Sequence, residues 1–273
     1  MKAKVNRREM NSLPQRIICL TTETVEVLYL LGEQDRIVGI SGYTIRPAIA
    51  RKEKSKVSAF TTAKIDKIID LKPDLILGFS NLQADIAAAL IKAGIEVHIF
   101  NQRSVDDILR MIITTGRLVG ATEKAENIVK ALQTEIAAVR KTANALPRKP
   151  KVYFEEWNEP MMCSIRWAAE LIEIAGGEDC FPELTQFHRA SERIVTPAQV
   201  LERMPDIIIG SWCGKKFQPE EVKAREGWSA MPAVKNNMLF EIKSADILQP
   251  GPSVFTHGLK QLEAIMQQWR KTQ

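Results

Sequence analysis

The 273-residue chain is poor in the residue types that most often carry chemistry: four cysteines, three histidines and 6% aromatics. Cys19, Cys163, Cys180 and Cys213 show no CxxC spacing, so neither a zinc site nor a dithiol redox motif is suggested. Reduced, mostly buried thiols are the expectation. His98, His188 and His257 lie far apart; His98 alternates inside a strand and reads as structural, and only His188, in the polar loop 186–189, is a candidate for a ligand. The glycine signatures of nucleotide enzymes are missing as well. The turn after the first strand, Leu20-Thr21-Thr22-Glu23-Thr24, holds no glycine, which excludes a dinucleotide fingerprint, and neither a phosphate loop nor a G-x-S-x-G elbow occurs. No apolar run reaches the roughly 18 residues of a membrane span. The first fifteen residues are charged and polar, without the apolar stretch of a secretory signal, and a cytoplasmic location is expected from that. The charge of +5 is mild. The basic runs at 51–56 and 148–151 lack interleaved aromatics, so solvated surface rather than nucleic-acid binding is expected.

What is present is alternation. Apolar runs at 16–20, 36–40, 74–78 and 96–100 read as strands, with helical patterns at 25–31, 63–71, 82–93 and 104–119. The pattern restarts with strands at 151–155, 206–210 and 238–242 and helices at 165–175, 197–204, 220–228 and 252–268. Between the halves, 122–146 reads as one helix with Ala125, Ile128, Val129, Leu132, Ile136, Val139, Ala143 and Leu146 on a single apolar stripe. Thr122 is its expected N-cap, Leu146-Pro147 its stop, and its length would be roughly 35 Å. Strands and helices alternating through short loops imply parallel sheets covered on both faces. The expected fold class is α/β, with two parallel-sheet lobes joined by a single long α-helix and a ligand cleft between the lobes. The expected segments are a tail 1–15, an N-terminal lobe 16–119, the connecting helix 120–147 and a C-terminal lobe 148–273.

One stretch occurs twice. Residues 68–80 and 200–212 both run helix end, Pro-Asp turn, three apolar strand residues, glycine, then aromatic and hydroxyl residues. Those last residues fall just past the carboxyl ends of strands, where open α/β sheets bind ligands. The same position is filled by Ser41-Gly42-Tyr43, Phe60-Thr61, Phe79-Ser80-Asn81, Glu156-Trp157-Asn158, Trp212-Cys213 and 246–251, and Trp167 is grouped with them. Such aromatic and hydrogen-bonding loops suit a large planar or macrocyclic ligand. Glu155, Glu156 and Glu159 cluster after a strand but have no partner histidine or metal motif, so surface or ligand-contacting roles are expected over acid–base work.

The chain resembles the helix-linked periplasmic binding proteins of ABC importers for cobalamin and for ferric siderophores or haem. The resemblance rests on 16–20 followed by Glu26-Val27-Leu28-Tyr29-Leu30-Leu31-Gly32, on 36–41, on Leu71-Lys72-Pro73-Asp74-Leu75-Ile76, on 94–97 and on Ala175-Gly176-Gly177-Glu178-Asp179. Pro250-Gly251-Pro252 before Gly258-Leu259 resembles the cobalamin branch. The resemblance implies a non-enzymatic solute-binding protein with no intrinsic cofactor, taking a cobalamin-like corrinoid or another metal chelate as its ligand. It implies ligand contacts at Tyr43, Phe60, Phe79, Trp157, Trp212 and Asp246, with the aromatics walling a macrocycle and Asp246, Ser80 and Asn81 bonding its polar edge. Tyr43 and Arg46 keep an anionic siderophore open. In the family, one surface glutamate per lobe docks on the permease. The corresponding positions here fall near Ser55 and at Ala198, with Glu53 and Glu202 nearby, so docking charges are not evident. Together with the polar N-terminus this predicts a cytoplasmic relative that feeds no permease. The alternatives are a conventional importer component and an enzyme or metallochaperone using Glu156, His188 and Cys213.

Overall fold

The computed structural model describes residues 13–144 and 148–273. Residues 1–12 of the expected tail 1–15, and the expected helix stop at Leu146-Pro147, lie outside those residues. The chain forms two compact units. One comprises residues 13–100 with Ile113–Ala125, the other Asn101–Ile112 with Glu126–Gln273.

The first unit is built on β1 (Ile17–Cys19), α1 (Thr22–Leu31), β2 (Ile37–Ser41), α2 (Ala50–Glu53), β3 (Ser55–Ser58), α3 (Ile65–Asp70), β4 (Leu75–Phe79), α4 (Ala84–Lys92) and β5 (Val97–Phe100). Its five strands are all parallel, in the order β3-β2-β1-β4-β5. β1 lies at the centre with every residue buried, which is why its sequence is apolar throughout rather than alternating. Ile18, Leu20, Val57, Ile68, Ile76 and Leu90 form the core beneath it. α1 ends at Gly32, whose φ of 78° only glycine adopts without cost and whose N–H closes on the Tyr29 carbonyl at 3.1 Å. The elements α2 and β3 were not expected. The basic run that reads as plain surface forms both, and Lys56 on the edge strand β3 is the kind of charge that blunts an edge.

α5 (Val105–Leu118) and α6 (Thr122–Asn144) both contribute to the two units, since the units part at Ile112 and Ala125. α6 is 23 residues long, and Ala125, Val129, Leu132, Ile136, Val139 and Ala143 are buried along it as the apolar stripe requires. Thr122 is not its cap: it is the first helical residue, and the Ala121 carbonyl accepts the Ala125 N–H at 3.1 Å.

The second unit holds β6 (Lys151–Glu155), a small antiparallel hairpin of β7 (Trp157–Asn158) and β8 (Met161–Met162), α7 (Arg166–Ile174), β9 (Glu178–Asp179), α8 (Pro197–Arg203), β10 (Ile207–Gly210), α9 (Pro219–Lys223), α10 (Pro232–Lys235), β11 (Leu239–Glu241), α11 (Ser244–Ile247) and α12 (Lys260–Arg270). Its four-stranded sheet is parallel in the order β11-β10-β6-β9. Tyr153, Phe181, Val200, Ile208, Phe217 and Trp228 are central to its core. α8 begins with a reciprocal cap: Thr196 Oγ1 accepts the Gln199 N–H and Gln199 Oε1 accepts the Thr196 N–H. Two expected helices are shorter than their patterns. The 220–228 stretch is α-helical only to Lys223, because Gly227 turns left-handed and drops Trp228 into the core. The 252–268 stretch begins as a wider π-type segment, Val254–Leu259, before α12.

The repeated Pro-Asp stretch has one physical cause in both units. The residue before the proline, Lys72 or Met204, is left-handed at φ 48° or 50°. The aspartate after it caps the start of the neighbouring strand. Asp74 accepts the N–H groups of Gln15 and Arg16 ahead of β1, at 2.7 and 2.9 Å. Asp206 accepts the Lys151 N–H that opens β6, at 2.9 Å, and is gripped by Arg148 at 2.6 and 2.7 Å.

Candidate ligand-binding site

In the first unit the carboxyl edge of the sheet is stitched together by polar side chains. Thr21 and Thr22 follow the central β1, but their hydroxyls do not cap α1. They donate to the two oxygens of Glu23, at 2.7 and 3.4 Å. Glu23 is buried, and burial raises its pKa against the pull of those hydroxyls. Past β2, Arg51 donates to the Gly42 and Thr44 carbonyls at 2.5 and 3.0 Å, and Gly42 N–H meets the Ser58 carbonyl at 2.7 Å. Tyr43, the residue between, is 60% exposed. Past β3, Phe60 is 36% exposed, and its ring lies 6.4 Å from that of the buried Phe79 at the end of β4. Ser80 is buried with φ 67°, its hydroxyl accepting the Leu82 N–H, while Asn81 and Leu82 face outward. Five predicted residues, Tyr43, Phe60, Phe79, Ser80 and Asn81, therefore share one sheet edge, and the first four are fixed by loops bonded to one another.

The carboxyl edge of the second sheet is built on ion pairs. Glu155, fully buried at the end of β6, accepts from the Tyr153 hydroxyl at 3.0 Å, from Trp212 Nε1 at 3.0 Å and from both Arg225 terminal nitrogens at 2.6 and 2.9 Å. Arg225 in turn lies 4.5 Å from the Trp228 ring centroid. Trp212 is thus held inside the unit, its ring edge-on to Phe217 at 5.0 Å. The next residue, Glu156, pairs at 2.6 Å with Arg193, which is itself buried and also reaches the Cys163 carbonyl. Trp157 is half-buried and donates to the Glu159 carbonyl at 2.7 Å. Asp246 lies in the first turn of α11, half-buried, and accepts from Gln261 at 3.0 Å. Its backbone passes so close to Gly258 that a Cβ there would be 2.8 Å from the Asp246 carbonyl oxygen.

The residues considered for metal or acid–base chemistry do not assemble. Glu156 is spent on Arg193, His188 is exposed in its loop and Cys213 is exposed past β10. The Cys213 thiol is pushed up by desolvation, and burial pushes Cys19 and Cys163 to about 12. Among the described residues no three His, Cys, Asp or Glu side chains come together as a metal site. The groups that the sequence reading passed over are Glu23, Gln83, Arg193 and Arg225, and Glu155, expected at the surface or on the ligand, is instead fully buried against Arg225. Most of their partners lie tens of residues away, the neighbours Thr21 and Thr22 of Glu23 and the Phe79 N–H on Gln83 excepted.

A family model described as periplasmic binding protein matches residues 17–245. The chain is 24% identical over 260 residues to an uncharacterised ABC transporter substrate-binding lipoprotein of Bacillus subtilis, covering 91% of this chain and 79% of that protein. It is 23% identical over 246 residues to a vitamin B12-binding protein of Vibrio parahaemolyticus, covering 89% and 86%. Its fold is similar to that of a periplasmic heme-binding protein from Roseiflexus, with a TM-score of 0.80, 19% identity and coverage of 93% and 98%. These relatives overturn the expected cytoplasmic location, because they are lipoprotein and periplasmic components. The expectation rested on the residues at one end of the chain, whereas an export signal is read and removed apart from the fold. The family match runs from the first residue of β1 into α11, so it takes in both sheets and the strand-end loops up to, but not including, Asp246: the chain belongs to the periplasmic binding protein family.

Proposed function

We propose that this protein binds a cobalamin-like corrinoid or a related metal chelate, haem or a ferric siderophore, outside the cytoplasm and without chemistry, as the solute-binding component of an ABC importer. The observation that carries this reading is the first sheet's carboxyl edge, where Tyr43, Phe60 and Leu82 are exposed on loops that their neighbours hold in place. Exposed aromatic and aliphatic groups on a fixed edge suit a broad apolar face, and a few polar groups beside them set its orientation. Tyr43, Phe60, Phe79 and Trp157 wall the macrocycle, and Ser80, Asn81 and Asp246 bond its polar rim. Trp212 acts from inside the second unit, where it is tied to Glu155. The metal arrives within the ligand, and the protein needs none of its own. Glu53 at the end of α2 and Glu202 in α8 are exposed carboxylates, and they are the charges offered to a permease.

Titration with cyanocobalamin, hemin and ferrichrome, followed by visible absorption and calorimetry, tests the reading. Saturable one-to-one binding of at least one compound is expected. Phe60→Ala is expected to weaken it up to about tenfold, the loss of one stacked ring. The absence of saturable binding with all three would overturn the proposal.

A further inference from the structure

Gln83 is completely buried, yet it lies in a short 3₁₀ turn just past β4, among loops read above as ligand-facing. Its amide makes three contacts with three different loops. Oε1 accepts the Phe79 N–H at 2.9 Å. Nε2 donates to the Phe60 carbonyl at 2.8 Å and, at a longer 3.5 Å, to the Leu20 carbonyl. These are the carboxyl ends of β4, β3 and β1. β3 is separated from β4 by β2 and β1 in the sheet, so no strand ladder can tie the Phe60 loop to Phe79. One side chain does so instead, and the two residues it grips carry the Phe60–Phe79 ring pair.

The backbone is shaped around this amide. Ser80 takes a left-handed φ of 67°, an uncommon state for a residue with a side chain, and the Gln83 N–H folds back on the Ser80 carbonyl at 3.2 Å. Gly78 leaves the room: a Cβ there would stand 2.8 Å from Gln83 Oε1 and 2.6 Å from Ile99 Cδ1. The requirement is for an amide in particular. A carboxylate would accept from Phe79 but would set its second oxygen against two carbonyl oxygens, and an apolar chain of the same length would strand a buried N–H and a carbonyl.

We propose that Gln83 is a positioning residue for the ligand, setting the aromatic pair Phe60 and Phe79 in the geometry that receives an apolar macrocycle face. This rests on the function proposed above. A ring held in place before binding loses less freedom on binding, so affinity depends on the clasp although Gln83 itself touches no ligand.

The test compares hemin, cyanocobalamin and ferrichrome binding by the wild type, Gln83→Met, Gln83→Glu, Phe60→Ala and the Gln83→Met/Phe60→Ala double variant. Circular dichroism and denaturant melts identify the variants folded at the titration temperature. Gln83→Met is expected to weaken binding several-fold, up to but not beyond the loss in Phe60→Ala, Gln83→Glu at least as much as Gln83→Met, and most of the Gln83→Met effect should vanish once Phe60 is already alanine. Should Gln83→Met not fold, Gln83→Asn takes its place, alone and with Phe60→Ala: it keeps a buried amide that is one methylene too short to grip both loops. Wild-type-like affinity in the folded Gln83 variants, or losses that simply multiply in the double variant, would overturn the proposal and leave the binding function standing. Failure of the wild type to bind any of the three compounds would overturn both.

Discussion

At the scale of single residues, the second unit depends on charges withdrawn from water. Four donors surround the buried Glu155 carboxyl, two of them from one guanidinium that also stacks on Trp228. Asp179 is the contrasting case. It is buried on β9, where it accepts from the Ser164 hydroxyl and the Phe181 N–H at 2.8 Å. Desolvation outweighs those bonds and raises its pKa to about 6. The folded protein therefore holds this proton to about pH 6, while the unfolded chain releases it near pH 4 (~3.9). The group's contribution to stability is full below about pH 4 and is lost as pH rises through about 6, a total of about 3 kcal/mol. Asp179→Asn keeps both bonding partners and carries no such proton. Denaturant melts from pH 4 to pH 7 should show the wild type losing stability relative to Asp179→Asn by that amount. Parallel curves for the two proteins would contradict the assignment.

Among secondary elements, the duplicated stretch shows how one local grammar serves two sheets. In both copies the Pro-Asp turn places a carboxylate on the backbone N–H groups that start the neighbouring strand. Asp206 is buried and also holds Arg148, whereas Asp74 is exposed. Asp206→Ala is therefore expected to cost about 2–3 kcal/mol and Asp74→Ala about 1 kcal/mol, read from chemical denaturation. Equal losses, or a larger one at Asp74, would contradict the account. The copies diverge at the strand's end. Gly78 makes room for the Gln83 amide, while Gly210 makes room for the Phe217 ring, which would lie 1.9 Å from a Cβ there. The same strand thus closes on a polar clasp in one unit and on an aromatic plug in the other. The sequence shows the glycine twice but not what fills the space, because Phe217 comes from a loop with no strong pattern.

For the whole molecule, the relatives this chain is similar to are lipoprotein and periplasmic binding proteins. Fractionation of the source cell is expected to find it in the extracytoplasmic or membrane-attached fraction, and recovery with the cytosol alone would contradict that. The alternation of apolar runs with helical periods was enough to read two parallel sheets and the long α6, since a doubly covered strand and an amphipathic helix each write their burial into local spacing. Tyr43, Phe79, Ser80 and Asn81 were also placed on one sheet edge by local order alone, because a loop that follows a parallel strand must emerge at that strand's carboxyl end; Phe60 was grouped with them although the strand ahead of it was not read. Short polar elements such as α2, β3 and the β7–β8 hairpin left no such mark. The interior pairings, Glu155 with Arg225, Glu156 with Arg193, and Gln83 across three loops, join residues that local patterns cannot relate. A hydrogen bond between distant positions has no period. Which strand ends carry the candidate site was therefore determined by sequence, while what holds Phe60, Phe79 and Trp212 rigid there was decided only when the chain folded.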